Sequence, residues 1–305
     1  MNKPHINHRP QGRTGGAVTW VIGVGIAGIA LVGTLILIRS MGSDGQAPAA
    51  ERVAHVHGLD VDATDGVLHV ATHNGLYRMP DDGPVERISE DQHDFMGFTV
   101  AGPHRFLASG HPGIGTEAFQ ELDRPLFGLI ESTDGGRSWD PVSLSGEVDF
   151  HGLEAAHGNV YGFDSTSGRL LVSTDEGTTW DNRSSISIAD LAVDPADEDH
   201  IIVSTGEGLA DSIDGGRSWQ PLDGPPVAFL DWHAERGLWG LDARGTVHRL
   251  DGGSWQVGKE LAGTPQALLV HDGGVAVAVD DGSTVIQTTR DGQDWSVVYR
   301  DEPAH

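Results

Sequence analysis

Ser132-Thr-Asp-Gly-Gly-Arg-Ser-Trp139 is the phrase around which this chain is built. It returns as Ser173-Thr-Asp-Glu-Gly-Thr-Thr-Trp180 and again as Ser212-Ile-Asp-Gly-Gly-Arg-Ser-Trp219. Two worn forms follow, Asp251-Gly-Gly-Ser-Trp255 and Thr288-Thr-Arg-Asp-Gly-Gln-Asp-Trp295. The five tryptophans stand 41, 39, 36 and 40 residues apart. A constant period of about forty residues marks a repeat architecture, in which each unit buries its apolar face against the next. Within a copy, a strand ends at the serine. The aspartate accepts hydrogen bonds from backbone N–H groups of the turn, and glycine supplies the positive φ. The tryptophan opens the following strand.

From Val53 onward, short apolar runs alternate with Gly/Asp turns and no helical period intervenes, the pattern of antiparallel β-structure. The repeats divide the chain into units at 53–90, 92–146, 147–186, 187–224, 225–262 and 263–301. The second is lengthened by a loop over 110–125. Each unit accommodates four strands, with the phrase between the third and fourth. This predicts an all-β, six-bladed β-propeller over 53–301, whose radial repetition leaves only short sheet edges.

The pattern S-x-D-x-G-x-[ST]-W resembles the Asp-box, or BNR repeat, of sialidases and sialidase-like glycosyl hydrolases. It is similar, more loosely, to the Asp-box propellers of photosystem assembly factors and sortilin-type receptors. In those proteins the box lies away from the catalytic face. The resemblance therefore implies structural roles for Asp134, Trp139, Asp175, Trp180, Asp214 and Trp219. It also implies a glycosyl hydrolase-like fold. The arginine triad of a sialidase cannot be assigned here, tyrosines occur only at 77, 161 and 299, and the acidic chain would repel an anionic sugar.

Cysteine is absent, which excludes disulfides, thiolate metal sites and a cysteine nucleophile. The chain carries a net charge of −26, and beyond residue 50 there are 15 basic against 44 acidic residues. That balance excludes a nucleic-acid partner, which needs a basic face. Residues 1–14 are polar and basic, and 15–38 run 24 residues without a charge. A membrane span needs about 20. Lys3, Arg9 and Arg13 precede the run, so the sequence predicts a single-pass anchor with a cytoplasmic tail, a linker over 39–52 and an extracytoplasmic propeller. A cleaved signal peptide, with Ala47-Pro48-Ala49 as its site, is the alternative. Gly23-Val-Gly-Ile-Ala-Gly28 matches a dinucleotide fingerprint, but no strand or βαβ unit surrounds it.

Aligning the innermost strands reveals candidate chemistry. Unit one reads His55-Val-His57-Gly-Leu59, unit two Asp94-Phe-Met96-Gly-Phe98 and unit three Asp149-Phe-His151-Gly-Leu153. Units four to six, at Ser187–Leu191, Pro226–Leu230 and Thr264–Leu268, hold no such pair of ligand types. His73 and His111 fall in loops that open on the same face, and His93 just precedes the second inner strand. The sequence thus predicts a transition-metal or small-ligand site built by His55, His57, His73, Met96, His111 and His151, with Asp94 and Asp149 as orienting carboxylates. Imidazole and carboxylate suit zinc and copper(II), and a thioether adds preference for copper. Two other functions stay open. Asp94 and Asp149 are the best pair for a glycosidase, which needs two carboxylates about 5–9.5 Å apart, one with a raised pKa. An assembly or scaffold protein, binding a glycan or protein partner without chemistry, is the third.

Overall fold

The computed structural model describes residues 53–301, except 82, 89, 90, 115, 117, 118, 121 and 122. Six four-stranded antiparallel sheets follow one another along the chain, at 56–87, 94–143, 150–185, 190–222, 227–260 and 264–300. Each sheet is one contiguous segment with its strands in sequence order, and the first strands of successive sheets neighbour each other around a ring. The molecule is a six-bladed β-propeller, and the first strand of every blade lines the central channel. The predicted span at 15–38 and its flanks at 1–14 and 39–52 lie outside the described residues. Among the described residues, no helix is long and apolar enough to cross a membrane.

The core is divided among the six junctions between blades. Leu76 of blade one packs with Phe95, Phe106 and Ile130 of blade two. Leu107 and Leu129 of blade two pack with Phe150 and Val160 of blade three. Further clusters fill the junctions of blades three and four, four and five, five and six, and six and one. Strand pleating explains how one strand serves two junctions. On the second strand of blade two, Arg105–His111, Phe106 and Ala108 face blade one while Leu107 faces blade three. Fully burying each such side chain contributes roughly 1.5–3 kcal/mol.

A second tie crosses every junction. A side chain on one inner strand accepts a hydrogen bond from a backbone N–H of the next. Asp60 accepts from Val100, Thr99 from Ala155, Glu154 from Val193, Asp190 from Leu230, Asp231 from Val270 and Gln266 from Val56. Four of these six acceptors are carboxylates facing one channel. Burial raises the Asp60 pKa to about 6 and those of Asp190 and Asp231 to about 7, and it lifts Glu154 well above the carboxylate range. Mutual repulsion of the acids adds to the shifts of Glu154 and Asp231.

The repeated phrase sits between the third and fourth strands of blades two, three and four. Asp134 Oδ1 accepts from the N–H groups of Arg137 and Ser138 at 2.9 and 3.0 Å, and Asp134 Oδ2 takes the Ser138 hydroxyl at 2.7 Å. Asp214 repeats this arrangement, Asp175 keeps the N–H and hydroxyl of Thr179, and Asp291 keeps the backbone part in blade six. The tryptophans bind the preceding blade or their own: Trp180 Nε1 donates to Ser143 Oγ, Trp219 Nε1 to Ser184 Oγ, and Trp139 lies on Phe95. Asp251-Gly-Gly-Ser-Trp255 is not a fourth copy of the turn. Its two glycines, at φ 56° and 80°, make a two-residue hairpin between Thr246–Asp251 and Ser254–Glu260.

Gly177 shows why the phrase needs its second glycine. Its φ is +87°, and a Cβ there would lie 2.1 Å from Leu129 Cδ2 of the preceding blade. Gly177→Ala is therefore expected to destabilise the propeller by about 2 kcal/mol or more, through both backbone strain and overpacking. Urea unfolding of the two proteins measures it, and equal midpoints would show that the junction gives way freely.

Candidate metal centre

The site begins with an irregularity repeated around the ring. On the inner strand of blade one, Val56 pairs with Thr72 and Gly58 with Ala71, so His57 is an extra, bulged residue. Met96 is skipped in the same way between Phe95 and Gly97, and His151 between Phe150 and Gly152. Ala228 and Gln266 take the equivalent place in blades five and six. A bulge re-aims its side chain away from the regular pleat. His57 and His151 accordingly line the channel cavity, of about 300 Å³, together with Asp60, Glu154, Asp190 and Asp231.

The other polar residues of this mouth come from the turns and strand ends around it. His73 and Asn74 form the turn between Val67–Thr72 and Gly75–Met79, tightened by a hydrogen bond from Thr72 Oγ1 to Gly75 O at 2.8 Å. His111 ends the second strand of blade two and pairs in register with Asp94. This close pairing requires Gly110, whose φ is +133° and where a Cβ would fall 2.0 Å from Asp94 O. Asp149 immediately precedes Phe150–Ala156, the inner strand of blade three, and its N–H donates to the buried Asp164 at 3.3 Å.

These residues form one continuous polar network over four blades. Gln266 uses Oε1 for the Val56 N–H at 3.1 Å, so its Nε2 donates to His55 Nδ1 at 2.8 Å. The His55, His57 and His73 rings lie 4.3 to 5.4 Å apart, centre to centre. His57 Nε2 is 3.2 Å from His73 Nε2, and His73 Nδ1 meets Asp94 Oδ1 at 2.7 Å. Asp94 Oδ2 meets His111 Nδ1 at 3.3 Å. His111 Nε2 lies 3.6 Å from Asp149 Oδ2, which accepts from His151 Nε2 at 2.9 Å. Among the described residues, His57, His73 and Asp94 form the group whose donor atoms all lie within 4.8 Å of one another. Two imidazole nitrogens 3.2 Å apart match the spacing of ligands around one ion at about 2 Å from each.

Electrostatics favours a cation here. Burial, with the neighbouring His73 and His55, lowers the His57 pKa to about 3, so its lone pair stays unprotonated. Burial and His73 also lower His55. Burial pushes the Asp94 carboxyl up, but hydrogen bonds from His111 and His73 outweigh it and hold the group well below the carboxylate range. The hydrogen bond to Asp94 raises the pKa of His111. Asp94 and Asp149 reach each other only through His111. A glycosidase acid needs a raised pKa, and Asp94 has a lowered one, so Asp94 is not fitted to that role.

One residue expected at this face stands apart. His93 is buried against Phe127 and Phe95, and its Nδ1 accepts the Gly113 N–H at 3.1 Å. Met96 holds its place in the bulge between Phe95 and Gly97. Gln266 is the network member that sequence reasoning missed. It occupies the aligned position of His57 and His151, and that alignment was its signal.

No protein-family model matches the chain, and no curated protein sequence does. Solved structures match its fold. A GH74 enzyme of Niastella koreensis superposes with a TM-score of 0.58 at 15% identity, covering 82% of this chain and 46% of that one. The GH74 xyloglucanase from Xanthomonas campestris gives 0.55 at 16% identity, over 83% and 46%. This chain spans less than half the length of those enzymes. A chain of a nidogen/laminin complex gives 0.58 at 13% identity, over 78% and 93%. What these proteins share with this one is the β-propeller.

Proposed function

We propose that this propeller is a binding module that captures a divalent late first-row ion, copper(II) or zinc, at His57, His73 and Asp94. One observation carries the reading: three donors of the right chemistry converge within 4.8 Å at an open channel mouth, and the most buried imidazole among them is held neutral. Imidazole and carboxylate donors suit both metals. The net charge of −26 attracts cations to it. The uncharged run at 15–38 would tether the domain outside the cytoplasm, where such ions are captured. Kinship with the Asp-box propellers is part of the same reading, supported by the capped turns at Asp134, Asp175 and Asp214.

Calorimetric titration of the purified full-length chain, stripped with a chelator, tests the proposal. Zinc or copper(II) is expected to bind with a Kd of about 1 μM or tighter, near −8 kcal/mol. No heat of binding from either ion would overturn it. Hydrolysis of a β-glucan by the same preparation would shift the reading to an enzyme.

A further inference from the structure

We propose that Gln266 is a positioning residue that holds His55 out of the ligand set, so that an ion at His57, His73 and Asp94 keeps one coordination position open to water or a small anion. This rests on the reading of those three residues as the metal centre.

Proximity alone would make His55 a further ligand. Its ring centre lies 4.8 Å from that of His57 and 5.4 Å from that of His73, and it is exposed at the same mouth. Yet the donor atoms that converge within 4.8 Å come from His57, His73 and Asp94. Gln266 accounts for the difference. Its side chain is 4% exposed and sits between a backbone N–H and the His55 ring. The Val56 N–H can only donate, so the atom facing it at 3.1 Å is the carbonyl oxygen Oε1. The amide nitrogen is thereby turned to His55 Nδ1, at 2.8 Å. An amide nitrogen can only donate, so Nδ1 is the bare, accepting nitrogen of the ring, and in the neutral imidazole the proton then sits on Nε2. Both nitrogens of His55 are committed, one to the amide and the other to its own proton. A metal needs a free lone pair, and His55 has none to offer.

The consequence falls on the ion. Zinc takes four ligands, and a centre with three protein donors completes its shell from outside. The mouth permits this, since the side chain of His73 is 46% exposed. A carboxylate in place of the Gln266 amide would reverse the arrangement. It would accept a proton from Nδ1 and leave Nε2 with the lone pair, as carboxylates do behind metal-bound imidazoles.

Electron paramagnetic resonance of the copper(II)-loaded protein tests both parts. The full-length chain is stripped, loaded with an equimolar amount of copper(II), and its pulsed spectrum is analysed for bound imidazoles before and after addition of azide. The wild type is expected to show two, those of His57 and His73, and a spectrum that azide changes. His55→Ala is expected to leave both results as they are. Gln266→Glu still accepts the Val56 N–H but frees Nε2 of His55, so a third imidazole is expected and azide should have less effect. Circular dichroism verifies the fold of each variant. Should the glutamate variant not fold, Gln266→Ala, which releases His55 altogether, takes its place. A third imidazole in the wild type that disappears in His55→Ala would overturn the exclusion of His55. A wild-type spectrum indifferent to azide would overturn the open position. Two imidazoles in the folded Gln266 variant would show that Gln266 does not hold His55 back. Absence of bound copper would overturn the metal centre itself, and this inference with it.

Discussion

Replacing His57 and His73 together by alanine is expected to weaken zinc or copper(II) binding at least about a hundred-fold. Loss of a single orienting partner outside the ligand set costs about 10- to 100-fold in metal affinity, and here two direct donors are removed. His57 also contributes preorganisation. With its pKa lowered to about 3, it sheds no proton when the ion arrives. An ordinary imidazole, titrating near about 6.5, would compete with protons below neutrality. Calorimetry on the double variant, with His233→Ala as the control, reads the effect. His233 pairs with Asp272 at 3.2 Å, outside the network, and its removal should leave affinity unchanged. Equal affinities for wild type and double variant would remove His57 and His73 from the site.

The second large effect lies deeper in the channel, and its sign is opposite to that usually expected for a buried residue. Asp231→Asn is expected to stabilise the protein by about 2 kcal/mol at pH 8 and to change it little at pH 4.5. Burial raises the Asp231 pKa to about 7, and the nearby Asp60 and Asp190 contribute to the rise. The folded state therefore binds this proton more tightly than the unfolded chain, where an aspartate titrates near about 4. The stabilisation from that proton is complete below about pH 4 and is lost as the pH rises through about 7. Above that, a charge must be kept among other acids. Asparagine carries no charge and can still accept the Val270 N–H through Oδ1, so the tie to blade six survives. A tenfold difference in proton affinity between folded and unfolded chains corresponds to about 1.4 kcal/mol, and water in the open channel reduces the full effect. Urea unfolding at the two pH values measures the difference. A destabilised variant at pH 8 would mean that the ionised carboxylate holds the blades together better than the amide.

What could be read from the sequence was local or repeated. The turns at Asp134, Asp175 and Asp214 were legible because each completes its hydrogen bonds within five residues. The convergence of His57, His73, His111 and His151 was legible because blades are equivalent, so a position on one strand predicts its counterpart on the next. The bulges at Met96 and His151 follow the same alignment as the bulge at His57. Two things were not legible. Gly252 and Gly253 look like a worn copy of the phrase, but without the serine two residues before the aspartate the turn closes as a plain hairpin. The acids Asp60, Glu154 and Asp231 each follow the leucine of the aligned inner-strand pattern, and Asp190 lies next to its own, yet position alone does not name their partners. Each is defined by the backbone N–H it meets 39 or 40 residues later, a relation that exists only once the ring has formed.

The junction of blades six and one has a consequence for the order of assembly. The other five junctions join inner strands 39 to 56 residues apart. The last joins Val56 to Gln266, 210 residues away, and no strand exchanged between the two blades brings them together. Closing the longer loop costs about 1.5 kcal/mol more in chain entropy than closing one of about forty residues. Blades can therefore stack one upon the next as an open arc, and the seam is the final contact. Gln266 meets His55 at that seam. The histidine network gains its last blade only when the arc becomes a ring, so a chain caught short of closure holds most of its core but an incomplete mouth.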